Sequence, residues 1–187
     1  IYSMKKLKPK TGRLLISEPN IDDTNFKRSV LILAQHNQEE TIGFILNQQT
    51  RFKISDFIEN FPNFDACIYI GGPVEKNSLH FIHTLGDKIE NSAHITDNLY
   101  WSGNFETLTA LIRKGKVSNN QVRFFAGYSG WSAGQLDYEL ESDSWIVAHS
   151  EKINLHTSDK KLWRNYLKSM NKEYAIWANM PEDPSLN

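Results

Sequence analysis

The chain has 187 residues, 40% of them hydrophobic and 23% charged, with a formal net charge of −1 at pH 7. That length suits one domain burying roughly 70% of its unfolded surface, so the core needs neither metal nor disulfide. Near-neutral charge excludes a global pull toward nucleic acid or anionic membrane, and no apolar run approaches the ~20 residues of a membrane span.

Residues 1–6 lack an apolar core of signal-peptide length, and the start on Ile1 reads as a trimmed end. Residues 1–12, with Lys5, Lys6, Lys8 and Lys10, predict a flexible basic arm, and residues 13–187 a single domain. Residues 13–17 predict a short strand, followed by a turn at 18–23. There Asp22 and Asp23 suit a turn or helix cap better than a cation site. Residues 29–36 form a nearly continuous apolar strand, as if covered on both faces. A polar turn leads to a second strand over 41–47, completing a hairpin in which Gly43 fits a bulge or bend.

Ser55 predicts a helix cap, with the helix running to Phe61 before Pro62. Residues 66–70 predict a buried strand that contains Cys67, the single cysteine. A lone thiol there reads as a buried residue in a reducing compartment, so the expected location is cytoplasmic. Gly71-Gly72-Pro73-Val74 follows as either a ligand-facing loop or a tight structural turn, the two glycines permitting close backbone approach or positive φ. In the strand over 79–85, His80 and His83 are three apart and face opposite ways, so they do not make a metal pair. Buried, hydrogen-bonded His83 is the simpler expectation.

Asn104 to Lys114 predicts a helix with Phe105, Leu108, Leu111 and Ile112 inward and Gly115 ending it. A strand over 121–126 leads into the most specific stretch of the chain, residues 124–145. It is read as a strand, a glycine-rich turn, a short helix and another strand beginning at Trp145. Ser132 and Gln135 have capping-box spacing, which predicts a helix from Ala133. Gly127-Tyr128-Ser129-Gly130-Trp131 misses the G-x-S-x-G elbow at its last position, so it does not mark a serine nucleophile. The phosphate-loop lysine and glycine spacing are also absent, and the following helix is acidic. Ser158 predicts the cap of a last helix carrying Leu162, Trp163, Tyr166, Leu167 and Met170.

In this order, Gly12 to Ser17, Phe26 to Val30, Gly43 to Asn47, Gly71 to Val74, Gly127 to Trp131, Gly134 to Glu139 and Trp145 resemble the AlgH/YqgE family of small bacterial proteins. The closing residues 181–187 are similar to its Bacteroidetes branch. The resemblance implies an α+β fold with a branched, mixed β-sheet curled into a pseudo-barrel with flanking helices. The family is labelled a transcriptional regulator, and its biochemical activity is unassigned. Ser129 stands where the family commonly has Ala, and Asp137 where it commonly has Glu.

Together these readings favour a protein that acts by binding, as an indirect regulator or adaptor, and lean against an enzyme. Direct DNA reading does not fit the neutral charge and the lack of a helix-turn-helix. The alternative is a small-ligand or nucleotide-binding protein or enzyme with a pocket between segments 71–74 and 128–139. Under either reading the binding residues are Gly71, Gly72, Pro73, Tyr128, Gly130, Trp131, Gln135 and Glu139. The partner is a protein or small molecule. No catalytic residue, metal ligand, cofactor or membrane contact is assigned. A third reading makes these glycines and aromatics purely structural.

Overall fold

A computed structural model describes residues 6–150, 153–156, 160–170 and 172–182. The predicted cap at Ser158 and the last five residues lie outside them. The first four strands are β1 (Leu14–Ser17), β2 (Val30–His36), β3 (Glu40–Ile45) and β4 (Gln49–Lys53), followed by helix α1 (Ile54–Phe57). Then come β5 (Cys67–Ile70), β6 (Val74–His83), β7 (Ala93–Thr96), β8 (Leu99–Trp101) and helix α2 (Phe105–Arg113). The chain continues with β9 (Val122–Ser132), α3 (Gln135–Glu141), β10 (Trp145–Ala148), α4 (Leu162–Met170) and α5 (Lys172–Ala178).

The fold is α+β, built on one branched, mixed sheet. Its main path runs β10-β1-β2-β3-β9-β6-β8-β7, and β4 joins through β5. β5 and β9 are parallel, whereas the other pairings are antiparallel. The branch lies in β9. Its first half, Phe124 to Ala126, pairs with β5, and its second half, Ser129 to Ser132, pairs with β3. β6 occupies the opposite edge. The sheet curls without closing into a barrel, because the path ends on β10 and β7 rather than joining them.

The continuous apolar run in β1 and β2 is explained by cover on both faces. Leu14, Ile16, Val30 and Ile32 point into the core inside the curl, where Phe44, Phe125, Trp163 and Leu167 also pack. Leu15, Leu31 and Leu33 point outward and are covered by Trp131, Leu136 and Trp145. A third core lies beneath α2, between Leu108 and Ile112 of the helix and Ile68, Phe81 and Phe124 of the sheet.

Several local expectations shift. The bulge expected at Gly43 falls on the facing strand: Leu33 pairs Gly43 and Gln35 pairs Ile42, so Ala34 is the extra residue. Ser55 does not cap α1. Lys53 does, its backbone N–H donating to Asp56 at 2.7 Å, and the helix stops at Phe57. Asp23 caps a short 3-10 turn by accepting from Asn25 N–H. α2 behaves as its sequence requires: Asn104 accepts from Thr107 N–H, and Gly115 follows with φ 69°.

Candidate functional site

The glycine-rich stretch expected to turn is instead the second half of β9, and the reason is crowding. Between the pairs Val74–Tyr128 and Leu79–Ala126, four residues of β6 stand against the single Gly127. Gly127 has φ 69°, and a Cβ there would lie 2.7 Å from Gly72 O and 2.8 Å from Val74 O. Gly71 and Gly72 face the same crowding without positive φ. A Cβ on Gly71 would meet Gly127 O at 2.3 Å, and one on Gly72 would meet Tyr128 O at 2.2 Å.

Gly71 therefore sits in the fork of the sheet. Its N–H donates to Ala126 O at 2.9 Å, and its carbonyl accepts from Ile45 N–H at 2.9 Å and from Ser129 Oγ at 3.0 Å. Ser129 is fully buried, and its hydroxyl hydrogen is committed to that carbonyl. It is a stitch across the branch rather than a nucleophile. Segments 71–74 and 127–129 do meet, backbone against backbone, with no room for a side chain at Gly71 or Gly72.

Trp131, Gln135 and Glu139 also converge. The indoles of Trp131 and Trp145 each donate to Glu139 Oε2 at 2.8 Å. Gln135 Nε2 reaches Glu139 Oε1 at 3.3 Å, and Gln135 Oε1 accepts from Ser132 N–H at 3.1 Å. Phe26 completes the cluster, 6.2 Å from Trp131 and 5.2 Å from Trp145 between ring centroids. Both tryptophans are buried, so this knot ties α3 to the sheet. Only the Gln135 half of the expected capping box forms. Ser132 remains in β9 opposite Glu40, and α3 begins only after Gly134, with φ 77°, has turned the chain.

Of the other expected site residues, Gly130 is exposed and lies beneath the half-buried Tyr128 ring, while Pro73 is half-buried. Tyr128 packs edge-on against His80 at 5.5 Å. Open space lies at the far end of the stretch. A cleft of about 280 Å³ is lined by His36, Asn37, Gln38 and Thr41 from β2, β3 and their turn, and by Ser132, Gly134, Leu136 and Asp137. The β2–β3 residues carry no signal in sequence, because only the pairing of β3 with β9 brings them here. Asp137 and Glu141, which share a helix face by their spacing, are exposed, and Tyr138 between them is 71% exposed.

His80 and His83 contact different surroundings. His83 is fully buried; its Nδ1 accepts from Leu85 N–H at 3.1 Å. Nε2 therefore carries the proton, with Ser92 Oγ at 2.9 Å and Ser102 O at 3.1 Å as partners. Burial pushes the His83 pKa below its usual value against the opposing pull of the Ser102 carbonyl, and burial also lowers that of His80. As pH falls through about 6.5 the unfolded chain takes up these protons before the folded one does. Stability should therefore be complete above that pH and decline below it. Urea titrations at pH 7.5 and 5.5 should show this decline, and His83→Gln should flatten it. An equally steep decline in the variant would assign it elsewhere.

Among the described residues no group of three His, Cys, Asp or Glu side chains could hold a metal ion. Nor is any helix among them long and apolar enough to cross a membrane.

A solved structure from Corynebacterium diphtheriae, protein DIP2367, matches the fold with a TM-score of 0.78 at 21% identity, covering 95% of each chain. The solution structure of the AlgH protein from Pseudomonas aeruginosa matches with a TM-score of 0.70 at 24% identity, over 95% of this chain and 99% of that one. These likenesses establish the fold. In sequence, a UPF0301 protein of Chlorobium limicola is 40% identical over the full length of both chains. One from Cytophaga hutchinsonii is 42% identical over 94% of this chain and 98% of its own. The AlgH-like family model matches residues 14–175. With the family pattern running through nearly every element from β1 to α5, the chain belongs to the AlgH-like family, whose biochemical function is unassigned.

Proposed function

We propose that the protein acts in the cytoplasm by binding another protein, as an adaptor or indirect regulator, through the face formed by α3, the end of β9 and the β2–β3 turn. The observation that carries this reading is Tyr138, 71% exposed between Asp137 and Glu141 on a helix tied to the sheet by Glu139. An exposed aromatic on a rigid element is a favoured interface anchor, since little freedom is lost on binding. Exposed Glu40, opposite Ser132, and Glu39 in the β2–β3 turn add negative charge to the face, so it suits a basic protein segment and repels nucleic-acid phosphates. Gln135 and Glu139 belong to this face or its immediate support, whereas Gly130 lies under Tyr128, on the side of β9 away from Trp131 and α3. Gly71 and Gly72 serve it indirectly by fixing the course of β9.

The test is capture of partners by the intact chain and by an Asp137→Lys, Tyr138→Ala, Glu141→Lys variant. These exposed changes should leave stability within about 0.5 kcal/mol per site. The captured set should shrink while the melting temperature holds, and duplex DNA should not shift in a gel at low salt. An unchanged set, or DNA binding with steep salt dependence, would overturn the proposal.

The small-ligand reading is favoured by one observation, the cleft of about 280 Å³ at Thr41 and Asp137. Its place is that cleft rather than the crowded junction of Gly72 with Tyr128.

A further inference from the structure

We infer that, on the binding face proposed above, the cleft between α3 and the β2–β3 hairpin seats one arginine side chain of the protein partner, a refinement that rests on that reading. The extra residue Ala34 builds the cleft. Strict alternation from Ile32 would send His36 into the core inside the curl. Past the bulge, Gln35 instead pairs with Ile42, which packs on that core, so His36 and its partner Thr41 turn to the α3 side. Thr41 in turn pairs with Trp131, which is buried there with Leu136. The result is an opening of about 280 Å³ with an apolar wall at Leu136 and an imidazole at His36. That volume falls below the roughly 300 Å³ at which pockets for drug-sized molecules begin, so it suits one side chain rather than a nucleotide.

Most polar atoms of the cleft are committed inside the protein. His36 Nδ1 lies 2.7 Å from Thr41 Oγ1. Thr41 is buried, and its hydroxyl has no other acceptor among the described residues, so it donates to Nδ1 and leaves the imidazole proton on Nε2. Asn37 Oδ1 accepts from the N–H groups of Glu39 and Glu40 at 2.8 and 2.9 Å, and Ser132 Oγ donates to Gln135 Oε1 at 3.3 Å. Asp137 is different: its carboxylate has neither hydrogen bond nor ion pair among the described residues. An unpaired carboxylate on a helix tied down through Glu139 selects a cation. Arginine fits better than lysine. Its planar fork pairs with a carboxylate through two parallel bonds and stacks on a flat ring, here that of His36, whereas an ammonium is a compact, strongly hydrated charge. The unpartnered Nε2–H of His36 finds its acceptor in a backbone carbonyl of the segment that carries the arginine.

The probe is N-acetyl-arginine N-methylamide, which carries the guanidinium between two backbone carbonyls. It is titrated into the isotope-labelled full chain at fixed ionic strength, alongside its lysine and citrulline counterparts, and followed by amide NMR shifts. The amides of Thr41, Gly134 and Asp137 should shift saturably with the arginine probe. The lysine probe should bind about tenfold more weakly, and the uncharged citrulline probe should leave the cleft unshifted. Asp137→Asn should weaken arginine binding by at least about tenfold at an unchanged melting temperature. Asp87→Asn, which removes an exposed carboxylate elsewhere, should not weaken it. Shifts scattered over other acidic surfaces, equal binding of citrulline, or full affinity in Asp137→Asn would overturn the arginine pocket. The binding face itself would survive that result if the variant at Asp137, Tyr138 and Glu141 still lost captured partners. Arginine seated in the cleft while that variant keeps its full captured set would overturn both, and would assign the cleft to a free guanidinium ligand.

Discussion

Gly72→Ala should destabilise the protein by more than about 3 kcal/mol, above the usual range for an overpacked site. The added methyl would lie 2.2 Å from Tyr128 O and 2.3 Å from Ser129 Oγ. The first is backbone in the central strand, and the second belongs to a hydroxyl already bonded to Gly71 O, so neither can swing away. Relief requires β5 and β9 to part at the fork, which loosens the register of both branches. Gly134 provides the contrast. It has φ 77° but nothing within 4 Å of an added Cβ, so Gly134→Ala meets only the left-handed backbone penalty of about 1–2 kcal/mol. Urea denaturation should therefore rank Gly72→Ala well below Gly134→Ala. Equal midpoints would mean that the fork is slack and that glycine is needed there for something other than space.

This distinction between space and dihedral marks where the sequence was readable. The two-face apolar run of β2 and the amphipathic α2 ended by Gly115 are local patterns, and both appear where their periodicity places them. Gly127 to Gly130 misleads because glycine signals a turn and a close backbone approach with the same letter. Only the excursion of β6 opposite Gly127 decides between them, and its residues are distant in sequence. The polar strand β4 and the short hairpin of β7 and β8 carry little apolar alternation; they are held by neighbours rather than by their own pattern. The site shows the same division. Helical spacing places Asp137 with Glu141 on one face, but the convergence of two indoles on Glu139 depends on where β9 and β10 lie.

That convergence yields the second large effect. Glu139→Ala should destabilise the protein by about 2–6 kcal/mol, because two buried indole N–H groups lose their acceptor and each orphan costs about 1–3 kcal/mol. Glu139→Gln keeps a carbonyl acceptor without the charge and should lose about 1 kcal/mol. Trp131→Ala also empties the space beside Phe26 and should lose about 3–5 kcal/mol. A thermodynamic cycle isolates the hydrogen bond itself. Trp131→Phe removes the donor, so it should be nearly neutral in the Glu139→Ala background while destabilising the parent by about 1–2 kcal/mol. If Glu139 were instead a contact for the partner, Glu139→Ala would retain full stability and lose capture, as the exposed changes at Asp137 and Tyr138 are expected to do. The two measurements on this one variant therefore separate the tether from the face it supports.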